Sequence, residues 1–307
     1  MNIYNYVCDF PNQIENSYLL DVPKTKKKFR NFRVIGMGGS YIAGLLIKEY
    51  LRDELDIEAY PGELPEIDKK TLVILISYSG NTKETVQAFN KYKKNDVLVI
   101  TSGGKLRELA VKNKKLLIEM PEKLHQRFTF SYGFFPVIKF LEKNNYLKTR
   151  KKTINKTVKI LKKYKWKIEK EARELAGKIK NKQLLCYATN YFYPSAYRFQ
   201  TSLEEDIKAI CHANRITELF HNELETFPDN KSYVILIIDN QEIKKFRKQM
   251  NYFKRLINYH EIKYKRFPKE IRIFVMFYFV DFLGFYLSRI KHTKMGETPL
   301  SDRIKKL

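Results

Sequence analysis

A glycine-rich turn followed by a hydroxyl is the first stretch of this sequence whose residue types suggest chemistry. Residues 36–40 read G-M-G-G-S and follow the short apolar run 32–35 directly. Backbone amides in such a turn can point at an anion, and the start of the next helix adds a partial positive charge. Gly38, Gly39 and Ser40 are therefore predicted to bind a phosphate, with a purely structural glycine turn as the alternative. The stretch is neither a dinucleotide fingerprint nor a Walker loop, because it contains neither G-x-G-x-x-G nor Gly-Lys-Ser/Thr.

A second turn of the same kind lies about forty residues later. Residues 77–82 read S-Y-S-G-N-T, so three hydroxyls, those of Ser77, Ser79 and Thr82, precede one helical pattern. An ordinary helix cap would explain one hydroxyl, and the surplus favours an oxyanion ligand. A third turn, T-S-G-G at residues 101–104, again combines hydroxyls with glycines after a predicted strand. At the carboxyl ends of parallel strands, where open α/β sheets bind ligands, these turns would form one phosphate site.

The elements that must position these turns alternate between strands and helices. Short apolar runs typical of strands buried on both faces occur at residues 32–35, 71–76, 97–101 and 116–119. Helical spacing of apolar residues occurs between them, at residues 41–51, 82–91 and 105–111. This alternation predicts a parallel sheet covered by helices.

The second half of the chain repeats the alternation after a change in composition. Residues 146–165 are rich in Asn, Lys and Thr and are predicted to be a linker, and a long charged helical pattern at 153–180 overlaps its end and leads out of it. Strands are then predicted at 184–188 and 233–238, and helices at 195–210, 242–257 and 271–290. The sequence therefore predicts an α/β fold of two domains, residues 1–150 and residues 151–307.

Composition and charge exclude several classes of protein. The chain has 307 residues, of which 44% are hydrophobic, which favours compact globular domains over disorder. Its 59 Lys and Arg against 34 Asp and Glu give a net charge of +25, but the basic residues are spread along the chain. Solvated lysine-rich faces explain this distribution better than a nucleic-acid interface, and such a surface would still attract a small phosphorylated substrate.

Cysteine usage and hydropathy point to a cytoplasmic protein. The three cysteines, Cys8, Cys186 and Cys211, include no C-x-x-C pair, so neither a disulfide framework nor a zinc site is expected. No signal-peptide pattern is seen in the first twenty residues. The most apolar stretch, 271–287, contains Arg272 and Asp281 and is predicted to be a core or interface helix, with no membrane partner.

Taken together, the three turns resemble the sugar isomerase (SIS) domain, which binds phosphorylated sugars through serine and threonine hydroxyls. In the second half, residues 196–199 (A-Y-R-F), 203–205 (L-E-E) and 218–223 (E-L-F-H-N-E) resemble the signature of the bifunctional phosphoglucose/phosphomannose isomerases. The resemblance implies two tandem SIS-type domains, each a mostly parallel sheet flanked by helices. It also implies interconversion of glucose 6-phosphate and/or mannose 6-phosphate with fructose 6-phosphate through an enediol, without a cofactor or metal.

Moving a carbonyl between C1 and C2 of a hexose phosphate requires ring opening and a proton transfer between the two carbons. Histidine, which ionises nearest neutrality, suits the first task, and a shielded carboxylate suits the second. By resemblance, Glu205 is the proton-shuttling base and His221 is the ring-opening group, contributed by the partner subunit of a homodimer. From the residues alone, a solvated helix face explains Glu205 and a capping role explains His221 equally well.

Three further residues receive roles through the same resemblance. Arg127 corresponds to an arginine ahead of a helix and would stabilise the charge of the enediolate. Lys305, which has Lys306 beside it, resembles a carboxyl-terminal lysine that contacts the substrate. Thr298 resembles a threonine associated with room for the mannose epimer.

The sequence departs from the family pattern at three positions, and it leaves other functions open. Glu204 stands where Asn is usual, Gln126 where Pro is usual, and Gln200 where Lys is common. These departures affect the choice of substrate more than the class of reaction. The alternatives are a non-catalytic sugar-phosphate sensor, for which a DNA-binding module is expected and not found, and a related amino-sugar phosphate isomerase.

Overall fold

The chain divides into two compact units, each with its own sheet. The structure is a computed structural model that describes residues 2–227 and 232–304, without the side chains of residues 302 and 304. The amino-terminal unit is Asp9–Lys159, and the carboxyl-terminal unit consists of residues 2–8 and 160–304. The sequence placed the division after residue 150, whereas the structure divides within a long helix.

Residues 2–8 belong with the second half of the chain through hydrogen bonds. The Tyr4 hydroxyl donates to Glu169 Oε1 at 2.8 Å, and the Tyr278 hydroxyl donates to the carbonyl of Cys8 at 3.2 Å. These partners are more than 160 residues apart in sequence. Local sequence patterns therefore could not assign the first residues to the carboxyl-terminal unit.

All strand pairings in the described chain are parallel. The strands are β1 (Asn31–Ile35), β2 (Asp56–Tyr60), β3 (Thr71–Ile76), β4 (Asp96–Thr101), β5 (Leu116–Glu119), β6 (Leu184–Ala188), β7 (Cys211–Arg215), β8 (Tyr233–Ile237) and β9 (Asn258–Glu261). The amino-terminal sheet has the order β2-β1-β3-β4-β5, and the carboxyl-terminal sheet has the order β7-β6-β8-β9. Because β6 and β8 occupy the positions of β1 and β3, the two units share one topology.

Helices connect the strands and cover the sheets. They are α1 (Ile3–Cys8), α2 (Phe10–Leu19), α3 (Gly39–Leu51), α4 (Lys83–Tyr92), α5 (Gly104–Lys112), α6 (Phe130–Lys143), α7 (Lys151–Ile179), α8 (Tyr193–Ser202), α9 (Ile216–Glu218), α10 (Arg247–Leu256), α11 (Lys269–Ile290) and α12 (Pro299–Ile304). In the amino-terminal unit, α4 and α5 bury Phe89 and Leu106 against Val73 and Leu75 of β3. On the opposite face of β3, α6 approaches Ile76 so closely that a Cβ on Gly133 would lie 3.2 Å from it. The predicted α/β fold with parallel sheets flanked by helices is confirmed.

The predicted linker at residues 146–165 is wrong from Lys151 onward, because α7 begins there. Ile154, Val158 and Leu161 are buried and recur every three or four residues, so they form an apolar stripe along one side of the helix. The Asn-, Lys- and Thr-rich composition belongs mostly to the solvated side of the same helix. A composition shift therefore marked an amphipathic helix and not a break in structure.

The helix predicted at 195–210 ends earlier than expected. α8 stops at Ser202, and a π-helical segment, Leu203–Ile207, follows it. The segment ends at Lys208, whose φ of +58° lies in the left-handed region that non-glycine residues seldom adopt. Single π turns are rare and frequently occur at functional sites, which draws attention to this segment.

The helix α11 is long and apolar enough to span a membrane, but it is buried within the protein. Its most apolar window has a mean hydropathy of 1.6 and is 89% buried. Its two charged core residues are paired: Asp281 accepts from Arg198 Nη2 at 2.8 Å, and Arg272 Nη2 donates to Asp239 at 2.6 Å. Ion pairing lets these charges lie inside an apolar core. The prediction that this stretch is a buried helix is confirmed.

Candidate active site

The first predicted turn joins β1 to α3 and leaves the start of the helix without a side-chain cap. Gly38 is the N-cap and has a φ of +52°, a conformation that favours glycine. The amide of Ser40 donates to the carbonyl of Met37 at 3.0 Å, which closes the turn. Gly38 is exposed, and Gly39 and Ser40 are half-buried. An anion at this turn would meet backbone amides at a helix start.

The second turn, after β3, brings its hydroxyls together. The hydroxyl oxygens of Ser77 and Thr82 lie 3.0 Å apart, and the Ser77 hydroxyl also accepts from the amide of Gly80 at 3.2 Å. The Ser79 hydroxyl accepts from the amide of Asn81 at 3.3 Å and is half-buried. Thr82 is the N-cap of α4 but makes no side-chain cap bond. Ser77 therefore shapes the turn, and the hydroxyls of Ser79 and Thr82 are not used as caps of α4.

The third turn supports the second. A Cβ on Gly80 would lie 1.8 Å from the carbonyl oxygen of Gly103, and a Cβ on Gly104 would lie 2.3 Å from that of Ser79. Thr101 Oγ1 donates to the carbonyl of Gly103 at 2.9 Å. These contacts require glycines at both turns, so the T-S-G-G stretch holds the S-Y-S-G-N-T stretch in place.

The first and second turns lie side by side, as predicted from the parallel sheet. β1 and β3 are neighbours, with Ile35 opposite Leu75. A Cβ on Gly36 would lie 3.1 Å from the carbonyl oxygen of Ile76. The structure therefore brings Gly38, Gly39 and Ser40 to the same sheet edge as the hydroxyls of the second turn.

Arg127 follows a loop that is bonded to the second turn. It is nine-tenths buried in a 3-10 turn, Gln126–Phe128, which packs against α3. The Tyr78 hydroxyl of the second turn accepts from the amide of Leu124 at 2.7 Å and donates to the carbonyl of Pro121 at 3.2 Å. The loop that leads to Arg127 is thereby attached to the second turn.

The equivalent turn of the carboxyl-terminal unit is filled by a carboxylate of the chain itself. This turn follows β8, and Asp239 Oδ1 accepts from the amides of Gln241 at 2.8 Å and Glu242 at 3.1 Å. Its Oδ2 accepts from Arg272. The amides of this turn that could point at an anion are therefore already satisfied by Asp239.

Glu205 lies in the carboxyl-terminal unit, on the π segment Leu203–Ile207. Its side chain is half-buried, between exposed Glu204 and fully buried Asp206. Two departures from the family pattern contact each other here, since Gln200 Nε2 donates to Glu204 Oε1 at 3.0 Å. Glu204 is thereby held to α8 by a neutral partner.

The segment that contains Thr298 is attached to the segment that carries Glu205. Asp206 Oδ1 accepts from the amide of Gly296 at 3.1 Å, and Thr293 Oγ1 donates to the Asp206 carbonyl at 2.6 Å. Thr298, half-buried, precedes α12. The structure therefore brings the candidate base and Thr298 onto neighbouring segments of one unit. Lys305 lies outside the described residues.

His221 lies on a second π segment, Leu219–Glu223, and its side chain is exposed. Glu223, at the end of the same segment, accepts hydrogen bonds from Tyr187, His212 and Asn214. Glu223 belongs to the E-L-F-H-N-E stretch that resembles the family signature, and no role was predicted for it. The only signal for it was its place two residues after His221.

The described residues contain no group of three or more His, Cys, Asp or Glu that could hold a metal ion. Amides, hydroxyls and one buried guanidinium occur together in the amino-terminal unit, and carboxylates and an exposed imidazole occur in the other. The first set can bind a phosphate ester, and the second can transfer protons.

Comparison with known families finds one matching domain in each half of the chain. Residues 27–134 match the SIS domain, and residues 168–307 match the bacterial phospho-glucose isomerase C-terminal SIS domain. In solved structures, the fold is similar to the C-terminal domain of glucosamine-fructose-6-phosphate aminotransferase from Francisella tularensis. That match has a TM-score of 0.75 at 15% identity and covers 95% of this chain and 97% of the other.

Two curated relatives cover most of the chain. A bifunctional phosphoglucose/phosphomannose isomerase from Caldicellulosiruptor bescii is 28% identical and covers 94% of this chain and 93% of its own. A D-glucosamine-6-phosphate 4-epimerase from Sulfolobus acidocaldarius is 27% identical, with 79% and 78% covered. The chain therefore belongs to the family of SIS-domain sugar isomerases that includes the bifunctional phosphoglucose/phosphomannose isomerases.

Proposed function

We propose that this protein is an aldose-ketose isomerase that interconverts glucose 6-phosphate and/or mannose 6-phosphate with fructose 6-phosphate through an enediol. The observation that carries the proposal is the near full-length similarity to relatives named bifunctional phosphoglucose/phosphomannose isomerase. The adjacent turns of the amino-terminal unit support it, because they present amides and hydroxyls suited to a phosphate ester.

In this proposal the phosphate is bound by the first two turns through Gly38, Gly39, Ser40, Ser77, Ser79 and Thr82. His221 transfers the proton that opens the sugar ring. Glu205 then removes a proton from one of C1 and C2 and returns it to the other, and no net oxidation takes place. Arg127 stabilises the negative charge of the enediolate, since buried cations are effective where charge develops. Thr298 and Lys305 contact the sugar and influence the choice of epimer.

The half-buried position of Glu205 supports its role as base. A carboxylate that accepts a proton from carbon must be shielded from bulk water and yet reachable by the substrate. Glu204, beside it, is exposed and bonded to Gln200. Glu204 is therefore a matched control for substitutions of the base.

The experiment measures the conversion of fructose 6-phosphate to glucose 6-phosphate and mannose 6-phosphate separately, with coupled dehydrogenase assays. Glu205→Gln is expected to lower kcat by about 10²- to 10⁴-fold, the range of general acid-base catalysis, while sugar-phosphate binding persists by calorimetry. Glu204→Gln is expected to retain turnover. Full turnover by Glu205→Gln would remove Glu205 from the mechanism, and formation of neither aldose by the wild type would refute the proposed function.

A second candidate, epimerisation at C4 of an amino-sugar phosphate, is favoured by the similarity to the named 4-epimerase. The same preparation is incubated with glucosamine 6-phosphate, and the product is analysed by NMR. Inversion at C4 without conversion of fructose 6-phosphate would establish this alternative in place of the isomerase.

We also propose that the protein acts as a homodimer in the cytoplasm, with His221 contributed to the site of the partner subunit. The exposure of His221 supports its use by another chain. Three free thiols, those of Cys8, Cys186 and Cys211, suit a reducing compartment. Mixing inactive Glu205→Gln and His221→Ala subunits tests the arrangement, since hybrid dimers would recover activity only if the two residues act across the interface.

A further inference from the structure

A cluster of hydrogen bonds holds one end of the segment that carries His221. Glu223 accepts from the hydroxyl of Tyr187, from Asn214 Nδ2 at 2.6 Å and from His212 Nε2 at 3.0 Å. The donors belong to neighbouring parallel strands, β6 and β7, with Tyr187 directly opposite Asn214. Because side chains alternate across a strand, all three project from one face of the sheet. The Glu223 carboxylate is thus attached to two core strands.

In the sequence, His221 lies midway between Glu223, which belongs to this cluster, and Leu219, which belongs to the hydrophobic core. Leu219, two residues before it, is fully buried against the same sheet, and Glu223 lies two residues after it. All three belong to one π segment, while the imidazole itself is exposed. A single π turn is rare and frequently occurs at a functional site. Leu219 and Glu223 therefore fix the two ends of the turn and so the direction of the imidazole between them.

The ionisation of Glu223 and Tyr187 agrees with Glu223 being the acceptor of all three hydrogen bonds. Burial alone would raise the pKa of Glu223, but the hydrogen bonds from Tyr187, Asn214 and His212 outweigh burial and lower it. Burial, reinforced by the hydrogen bond to Glu223, raises the pKa of the Tyr187 hydroxyl far above its usual range. Glu223 is therefore an ionised acceptor at neutral pH, Tyr187 keeps its proton, and His212 Nε2 acts as a donor.

We propose that Glu223 is a positioning residue for His221: by tying the π turn to Tyr187, Asn214 and His212, it aims the imidazole for ring opening. The proposal rests on the proposed function, in which His221 opens the sugar ring. The proposal predicts that loss of Glu223 affects one step of the reaction and not the other. Loss of Glu223 should slow the opening of cyclic substrates and leave the proton transfer at Glu205 intact.

An open-chain substrate separates the two steps. The compound 5-deoxyfructose 6-phosphate lacks the oxygen that closes the furanose ring, so its isomerisation needs no ring opening. Glu223→Ala is expected to lower kcat for fructose 6-phosphate by about 10- to 100-fold, as for other residues that orient a functional histidine, with little change in KM. The variant should retain wild-type turnover of the open-chain compound, and His221→Ala should show the same selectivity.

Glu225 provides the matched control, because it is an exposed glutamate two residues further along the chain. Glu225→Ala should behave as the wild type with both substrates. Equal losses on the cyclic and open-chain substrates in Glu223→Ala, or no loss on either, would overturn the proposal.

Hydrogen-deuterium exchange provides a readout that does not depend on turnover. Amides of residues 219–226 should exchange faster in Glu223→Ala than in the wild type and in Glu225→Ala, while those of β6 stay protected. Unchanged exchange would overturn the positioning role even in an active enzyme. A wild type with no isomerase activity would instead refute the proposed function, and the exchange result would then decide by itself whether Glu223 holds the turn.

Discussion

Replacing Gly80 with alanine should break the junction between the second and third turns. Gly80 has a φ of +67°, and a Cβ there would lie 1.8 Å from the carbonyl oxygen of Gly103. Real Cβ contacts are not shorter than 3.0 Å, and both atoms of the clash belong to backbone or its first side-chain atom. The two turns must therefore move apart.

The cost has two parts. A left-handed backbone costs an alanine roughly 1–2 kcal/mol. Moving the turns apart also stretches two backbone hydrogen bonds between them. One joins the amide of Ser102 to the carbonyl of Tyr78 at 3.0 Å, and the other joins the amide of Leu106 to the carbonyl of Gly80 at 2.9 Å. Each buried group left without its bond costs about 1–3 kcal/mol. We therefore expect Gly80→Ala to lower the free energy of unfolding by about 3–8 kcal/mol, if both hydrogen bonds are lost, and to weaken binding of inorganic phosphate.

Gly38→Ala is the matched control. Its φ is also positive, at +52°, but nothing lies within 4 Å of the added Cβ. Because its ψ of −122° lies outside the left-handed helical region, it should lose only the cost of a sparsely populated backbone conformation, about 1–3 kcal/mol. Differential scanning calorimetry compares the two variants, and Gly80→Ala should show the larger drop in Tm. Equal drops would refute the reasoning that close approach of the third turn shapes the second.

Three further results are expected. Asp281→Ala removes the carboxylate that pairs with the buried guanidinium of Arg198 and should lower the free energy of unfolding by about 3–5 kcal/mol, measured by urea unfolding; a loss below about 1 kcal/mol would contradict the contribution of this pair. Because the pKa of Glu223 is lowered on folding, its contribution to stability is complete above its ordinary value of 4.5 and is lost as pH falls below it. The Tm of the wild type should therefore drop more between about pH 6 and about pH 3 than that of Glu223→Gln, and parallel curves would argue against the cluster. Burial raises the pKa of the Cys186 thiol well above its usual value, so iodoacetamide should modify it only after unfolding; mass spectrometry that finds rapid labelling of native protein would contradict its burial.

Local patterns predicted the parts of the fold whose structure depends on local interactions. The boundaries of β3 and β5 were predicted correctly, since continuous apolar runs bounded by charges or turns define buried strands. The strand β7 was missed because its sequence, C-H-A-N-R, is polar. The helix α6 was missed although eleven of its residues are buried, because Pro136 and Gly133 lie inside it.

The candidate site shows the same limit. The candidate phosphate turns were identified from the sequence because glycines and hydroxyls at a strand end are close in sequence. The Glu223 cluster was not, because its donors lie 36, 11 and 9 residues away and meet only through strand pairing. Nor could the π segments be predicted, since the wider turn at Glu205 depends on how Asp206 is held by residues of the carboxyl-terminal segment.

Isomerisation of fructose 6-phosphate in D₂O, followed by NMR, tests the central claim most directly. If a single carboxylate carries a proton between neighbouring carbons and exchanges it with solvent while the enediol is bound, the aldose should carry deuterium at C2 in part of the molecules and the transferred protium in the rest. Glu205→Gln should lower the rates of product formation and of labelling together, by about 10²- to 10⁴-fold. Deuterium at C4, or aldose formation at an undiminished rate after the loss of the Glu205 carboxylate, would contradict the account.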